Sequence, residues 1–145
     1  MTETVTKVKQ IVKYIFLGVI GGGIYYNLEL IWREYSHWTM FLLGGICFIA
    51  LGLINELLSW DTPLISQMVI GSLIITTLEL ITGCIVNLWL GWNVWDYSNQ
   101  QFNVLGQICP LFSFLWLFVG TVAIILDDYL RYWLFGEEKP RYKLF

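Results

Sequence analysis

From about Leu64 to about Gly91 the chain is apolar, with a single charged residue, Glu79, close to the midpoint. A run of this length and character reads as a membrane-spanning helix, which takes about 20 residues. A carboxylate at mid-depth in a bilayer costs on the order of 3 kcal/mol, so it faces the interior of a bundle or a wet cavity and marks a functional position. The stretch Thr76-Thr77-Leu78-Glu79-Leu80-Ile81-Thr82-Gly83 therefore organises the reading of the rest.

Three further apolar runs accompany it. Helices are expected over about 11–32, 38–60, 64–91 and 106–126, joined by Arg33–His37, Asp61–Pro63 and Trp92–Leu105. The tail, 127–145, begins with a stretch to Phe135 that reads as a short interfacial helix ended by Gly136. The fold class is an all-α integral membrane protein. Its four transmembrane helices form a compact bundle, a single transmembrane domain over 1–145. Composition agrees: of 145 residues, 57% are hydrophobic and 13% charged, about half the charged share of soluble domains. Eight Trp and eight Tyr suit the bilayer–water interface. Cys47, Cys84 and Cys109 are odd in number, without a C-x-x-C pair, so no disulfide framework is expected. The polar start, Met1-Thr2-Glu3-Thr4, has no small-residue cleavage site after it, so the first run reads as a retained helix rather than a signal peptide.

Lys7, Lys9, Lys13, Arg131, Lys139, Arg141 and Lys143 cluster near the two termini, while Arg33 alone lies in a loop. Four spans bring both termini to one side, and the positive residues mark that side as cytoplasmic. The expected location is a bacterial plasma membrane.

Each helix carries a stripe of small or polar residues at helical spacing. The stripes are Gly18, Gly22, Tyr25 or Tyr26 and Glu29; Gly45, Gly52, Glu56 and Ser59; Ser72, Thr76, Glu79, Gly83 and Asn87; and Ser113, Trp116, Gly120 and Asp127. Small residues let helices approach closely in lipid, so the stripes are packing seams. They also carry the carboxylates. Glu29, Glu79 and Glu56 form a series in depth, with steps of about 10 Å at 1.5 Å rise per residue. One reading is a proton or cation path. The other places Glu29 and Glu56 simply at the interfaces and leaves Glu79 as a hydrogen-bonded structural acid with Thr76, Thr82 or Asn87 as partners.

The loop Trp92–Leu105 is too aromatic for a solvated loop and too polar for a span. It reads either as a lid over Glu79, with Asp96 and Asn103 pointing inward, or as an interfacial aromatic collar. Asp96 and Ser98 can form a local turn, and Asn103 can cap the last helix. The ligand- or ion-binding candidates are thus Glu79, Asp96, Asn103, Asn87, Glu29 and Glu56. No catalytic residue, metal site or cofactor is assigned. Gly21-Gly22-Gly23 lies inside a span and is no phosphate loop. His37 comes with no nucleophile elbow. The cysteines lack zinc spacing. The basic tail points to anionic lipid headgroups rather than nucleic acid.

Glu79-Leu80-Ile81-Thr82-Gly83, Asn87, Trp95-Asp96-Tyr97-Ser98 and Asn103-Val104-Leu105-Gly106-Gln107-Ile108-Cys109 resemble the signature of small bacterial membrane proteins known as the putative ABC-transporter type IV, or CmpB-like, family. Tyr25-Tyr26-Asn27-Leu28-Glu29 with Trp32-Arg33, and Ser36-His37-Trp38-Thr39-Met40, look like a Firmicutes branch of it. The resemblance implies a membrane location and makes Glu79, Asp96 and Asn103 the first positions to test. An ATPase partner is not expected: the chain has no P-loop, and the Asp61–Pro63 loop of three residues offers no handle.

The leading functional expectation is ion or small-solute transport through Glu79, by a homo-oligomer or within a larger membrane complex. The alternatives are a structural or accessory membrane subunit, and a lipid-acting enzyme in which Glu79, Asp96 and Glu29 converge as acid–base carboxylates.

Overall fold

The computed structural model describes residues 2–145, and those residues are helical apart from their connections and tail. The elements are α1 (Thr2–Arg33), α2 (Trp38–Gly52), α3 (Ile54–Leu57), α4 (Leu64–Gly83) and α5 (Pro110–Phe135). Four segments are long and apolar enough to cross a membrane: Thr2–Arg33, Trp38–Leu57, Leu64–Trp89 and Pro110–Phe135. The second runs through α2 and α3. The third continues α4 into a π-helical turn, Cys84–Trp89. The spans alternate in direction. One end of the bundle carries Thr2 and the C-terminal tail (the terminal end), and the other carries Leu90–Cys109 (the loop end).

Each boundary has a local cause. α1 starts at Thr2 rather than near Ile11, because the polar leader contains no helix breaker and Glu3 pairs with Lys7 one turn on, at 3.3 Å. At α2, the His37 ring Nδ1 accepts the Thr39 N–H at 3.2 Å, satisfying one of the free donors of the first turn. α5 begins at Pro110, where a missing N–H costs nothing, and ends at Gly136 in the left-handed conformation, φ 66°. It does not begin at Gly106, because the chain there makes a turn closed by a bridge between Val104 and Ile108. The Asp127–Phe135 stretch is continuous with the span. α4 has no side-chain cap. Its free Leu64 and Ile65 N–H groups instead donate to the Lys143 and Leu144 carbonyls, at 2.6 and 3.2 Å. The tail thus folds back over the terminal end.

α1 packs along α2, and α4 along α5, while α2 touches both α4 and α5. The α1–α2 seam depends on bare backbone: a Cβ at Gly45 would stand 2.7 Å from the Gly18 carbonyl oxygen. The shared core runs through Leu17, Leu43, Leu51, Ile75 and Ile124. α1 and α5 scarcely meet, and the gap between them leads to the site described next.

Candidate functional site

Glu79 sits about four-fifths of the way along α4 on the face turned to α5 and is 3% exposed. The helical spacing of Ser72, Thr76 and Glu79 places all three against Ser113 and Trp116 of α5. Ser72 Oγ donates to the Ser113 carbonyl at 2.6 Å, and the Thr76 and Ser113 hydroxyls share a hydrogen bond of 2.8 Å. These contacts set the register in which the Trp116 indole N–H donates to Glu79 Oε1 at 2.5 Å. The second oxygen, Oε2, accepts the Tyr97 hydroxyl at 3.3 Å. Tyr97 comes from the loop. Its ring stacks on Phe112 with centroids 4.7 Å apart. Burial pushes the Tyr97 phenol well above its ordinary range, so it stays a donor.

Beside the carboxylate lies a cavity of about 250 Å³. Tyr25, Phe48, Ile75 and Trp116 stand around it, with Cys47 and Leu51 deeper in the α2 wall. Its mouth lies between α1 and α5, where Ile24, Leu28, Val119 and Val122 are exposed. In a bilayer that mouth faces lipid. Among the described residues no Lys, Arg or His lines the cavity, and Glu79 is its acidic group.

Above Glu79 the loop is pinned into the bundle. The π-helical turn brings Asn87 round to Gln107, and its amide donates to Gln107 Oε1 at 2.8 Å. Asn87 Oδ1 accepts the Val94 N–H at 2.6 Å, and the Trp95 indole N–H donates to the Gln107 carbonyl at 3.0 Å. Val94, Trp95 and Gln107 are buried. Gly83 is required here: a Cβ would lie 2.5 Å from Gln107 Oε1.

Asp96 and Asn103 do not point toward Glu79. Asp96 is exposed and accepts the Ser98 N–H at 2.8 Å and the Ser98 hydroxyl. Those hydrogen bonds hold its carboxyl below the usual range. Asn103 caps no helix: its Oδ1 accepts the Gly106 N–H at 2.9 Å, and its amide donates to the Gln100 carbonyl at 2.9 Å. Both residues shape the turn. The loop reaches the site through Tyr97 instead, so the inward contact lies one residue from where the sequence placed it. Gly106 serves the same turn at φ 73°, with Ser98 Oγ 2.7 Å from the position of a Cβ.

The other two glutamates are engaged elsewhere. Glu29 pairs with Arg33 at 2.5 Å, and Arg33 also donates to the Val94 carbonyl at 3.1 Å. Glu56 belongs to a charge cluster at the terminal end. Arg131 is its centre, 5% exposed, at 2.7 Å from Glu56, 2.8 Å from Asp127 and 2.5 Å from Asp128. It also donates to the Gly52 carbonyl at 2.9 Å. Lys13 bridges Glu56 and Glu137, each at 3.1 Å. Asn55 and Tyr142 donate to Asp128 at 2.5 and 2.7 Å, and Tyr14 donates to Glu56. Burial first, and Asp128 next, push the Tyr142 phenol up, so it too remains a donor. Lys13 and Arg131, taken from sequence as surface charges that mark a membrane side, are buried ion-pair partners. Among the described residues, no group of three His, Cys, Asp or Glu side chains could hold a metal ion.

The family model described as Putative ABC-transporter type IV (CmpB) matches residues 10–136. The chain belongs to this family. No curated protein and no solved structure matches the chain. The CmpB match takes in the first span from residue 10, the other three spans, the loop and the whole of the Glu79 site, and it ends at Gly136, just past α5. The protein is a multi-pass membrane protein of this family. Three residues of its site went unremarked as partners in the sequence, Trp116, Tyr97 and Gln107, as did Arg131 in the cluster at the terminal end. Trp95-Asp96-Tyr97 alternates buried and exposed positions around a turn, and no helical period flags it. Gln107 carried a signal, a lone amide between Gly106 and Ile108 just ahead of an apolar run.

Proposed function

We propose that this CmpB-family protein moves an ion or small solute and that Glu79 is the group that handles it. One observation carries the proposal: a carboxylate at mid-span, held by Trp116 and Tyr97, forms the acidic wall of a cavity whose mouth opens between α1 and α5. The space beside the carboxylate is large enough to admit a bound group. Isolated intramembrane carboxylates mark ion and substrate pathways.

Beyond the cavity, the Arg131 cluster lies toward the terminal end and the Asn87–Gln107 contacts toward the loop end. A crossing path therefore requires movement at one end, or a second copy of the chain against the α1–α5 mouth. We propose a homo-oligomer in a bacterial plasma membrane, with both termini in the cytoplasm. Exposed Lys7, Lys9, Lys139, Arg141 and Lys143 at the terminal end support that orientation. The proposal needs no ATPase. The connection between α3 and α4, Leu58–Pro63, is short and gives such a partner little to grip.

The test is flux into proteoliposomes, read as dissipation of an imposed proton gradient and as uptake of labelled cations. Wild type is expected to conduct and Glu79→Gln to lose conduction while inserting normally. Equal flux from the two proteins overturns the proposal.

A further inference from the structure

The shape and lining of the cavity narrow the class of molecule it would take. Its volume, about 250 Å³, corresponds to roughly eight waters at ~30 Å³ each, so it accommodates a compact group rather than a whole lipid. Its walls are apolar, which disfavours a strongly hydrated inorganic ion that must keep its water. Its ionisable wall group is an acid with no base opposite, which disfavours an anion. A carboxylate offers about four acceptor positions. Trp116 and Tyr97 use one each, leaving acceptor capacity on the cavity side. Tyr25 and Trp116 meet at the cavity with ring centroids 6.4 Å apart and planes tilted by 46°, giving an aromatic corner beside the acid. Aromatic rings attract a desolvated cation that carries its charge on an apolar framework. The mouth, between Leu28 and Val122, lies at the lipid-facing surface, and Val122 is 67% exposed there.

We infer that the cavity binds a lipophilic organic cation: a compact quaternary or protonated ammonium head set between Glu79, Tyr25 and Trp116, with an apolar body directed toward the α1–α5 mouth. This assignment names the substrate class of the site proposed above and rests on that reading. The carboxylate supplies charge, the two rings supply a surface that needs no hydrogen bond from the ligand, and the apolar walls receive the body. A ligand of this kind reaches the site from the bilayer, where amphiphilic cations concentrate, without crossing either polar end of the bundle. Gly44 has a structural part in the arrangement. A Cβ there would stand 2.5 Å from Tyr25 Cβ, so the bare backbone of α2 is what lets Tyr25 lie at the cavity wall.

The experiment is calorimetric titration of the full chain in lipid nanodiscs with benzyltrimethylammonium. Its neutral isostere, neopentylbenzene, which has carbon in place of the charged nitrogen, is titrated beside it. The cation should bind saturably and about tenfold or more tighter than the isostere, the order expected for a desolvated cation meeting an aromatic face and a carboxylate. Glu79→Gln should abolish that preference. Glu79→Asp should keep it, which guards against a misfolded Gln variant, and circular dichroism should be the same for all three proteins. Tyr25→Leu should weaken the cation more than the isostere. Equal binding of cation and isostere, cation binding unchanged in Glu79→Gln, or no binding of either compound overturns the assignment. The flux assay separates the two claims. If the cation fails to bind while Glu79→Gln still stops flux, the substrate class is wrong and the transport reading stands. If binding depends on Glu79 while flux does not, the site stands and transport falls.

Discussion

The Asp127 carboxylate occupies the space that a side chain at Gly52 would need. α5 can bury this acid to 1% exposure only because α2 presents bare backbone opposite it. Arg131 ties the two together, lying 2.8 Å from Asp127 and donating to the Gly52 carbonyl at 2.9 Å. Gly52→Ala should therefore cost about 1–3 kcal/mol, the usual range for overpacking. The loss should shrink markedly in an Asp127→Ala background, where the space is free. Unfolding in mixed detergent and SDS micelles measures both, and equal losses in the two backgrounds would contradict the contact.

Arg131 is the larger stake in the same cluster. It meets Glu56, Asp127 and Asp128, so Arg131→Met leaves buried carboxylates without their cation. Removing one partner of a buried pair costs about 3–5 kcal/mol. Lys13→Met should cost less, since Glu56 keeps Arg131 and Tyr14, and Glu137 is nearer the surface. The same micelle unfolding ranks the two. A Lys13 variant as damaged as the Arg131 variant would place the centre of the cluster elsewhere.

At the site itself the two donors to Glu79 are unequal. Trp116→Phe removes the 2.5 Å hydrogen bond from a buried acceptor and should destabilise by about 1–3 kcal/mol. Tyr97→Phe removes a 3.3 Å contact and retains the stack on Phe112, so its effect should be smaller. Thermal unfolding of the two variants in one detergent gives the order, and the reverse order would mean that the loop rather than α5 holds the carboxylate.

The Asp96 turn should respond to acid. Its carboxyl is held below the ordinary range by the Ser98 hydrogen bonds. A group whose pKa is lower in the folded chain contributes order above its unfolded value, about 3.9, and loses it as pH falls through the folded value. Hydrogen exchange at the Ser98 amide, compared between wild type and Asp96→Asn, should differ at neutral pH and converge below about pH 4. Because the residue is exposed and turned away from Glu79, Asp96→Asn should leave proteoliposome flux unchanged. A flux loss equal to that of Glu79→Gln would restore Asp96 to the site.

Much of the scaffold was legible in the sequence, because length and apolarity alone determine which segments can cross a bilayer. The small-residue stripes were legible from helical spacing: Ser72, Thr76 and Glu79 do meet Ser113 and Trp116. Contacts that depend on chain reversal were hidden. Tyr97 reaches Glu79 because residues 94–107 fold back through turns at Asp96 and Gly106, and no periodicity encodes that. Lys13 and Arg131 read as surface charges because charge placement is judged in sequence one helix at a time. Their burial depends on Glu56 arriving from α3 and Glu137 from the tail.

The most direct measurement is a carboxylate scan by proteoliposome flux, with Glu29→Gln, Glu56→Gln and Glu79→Gln beside wild type. Glu29 is paired with Arg33, and Glu56 with Arg131 and Lys13, so their variants should reduce flux only as far as they reduce the amount of folded protein. Glu79 faces the cavity and has no basic partner there. Glu79→Gln should abolish flux at wild-type levels of folded protein. Full flux from Glu79→Gln, or a loss shared equally by all three variants, would contradict that expectation.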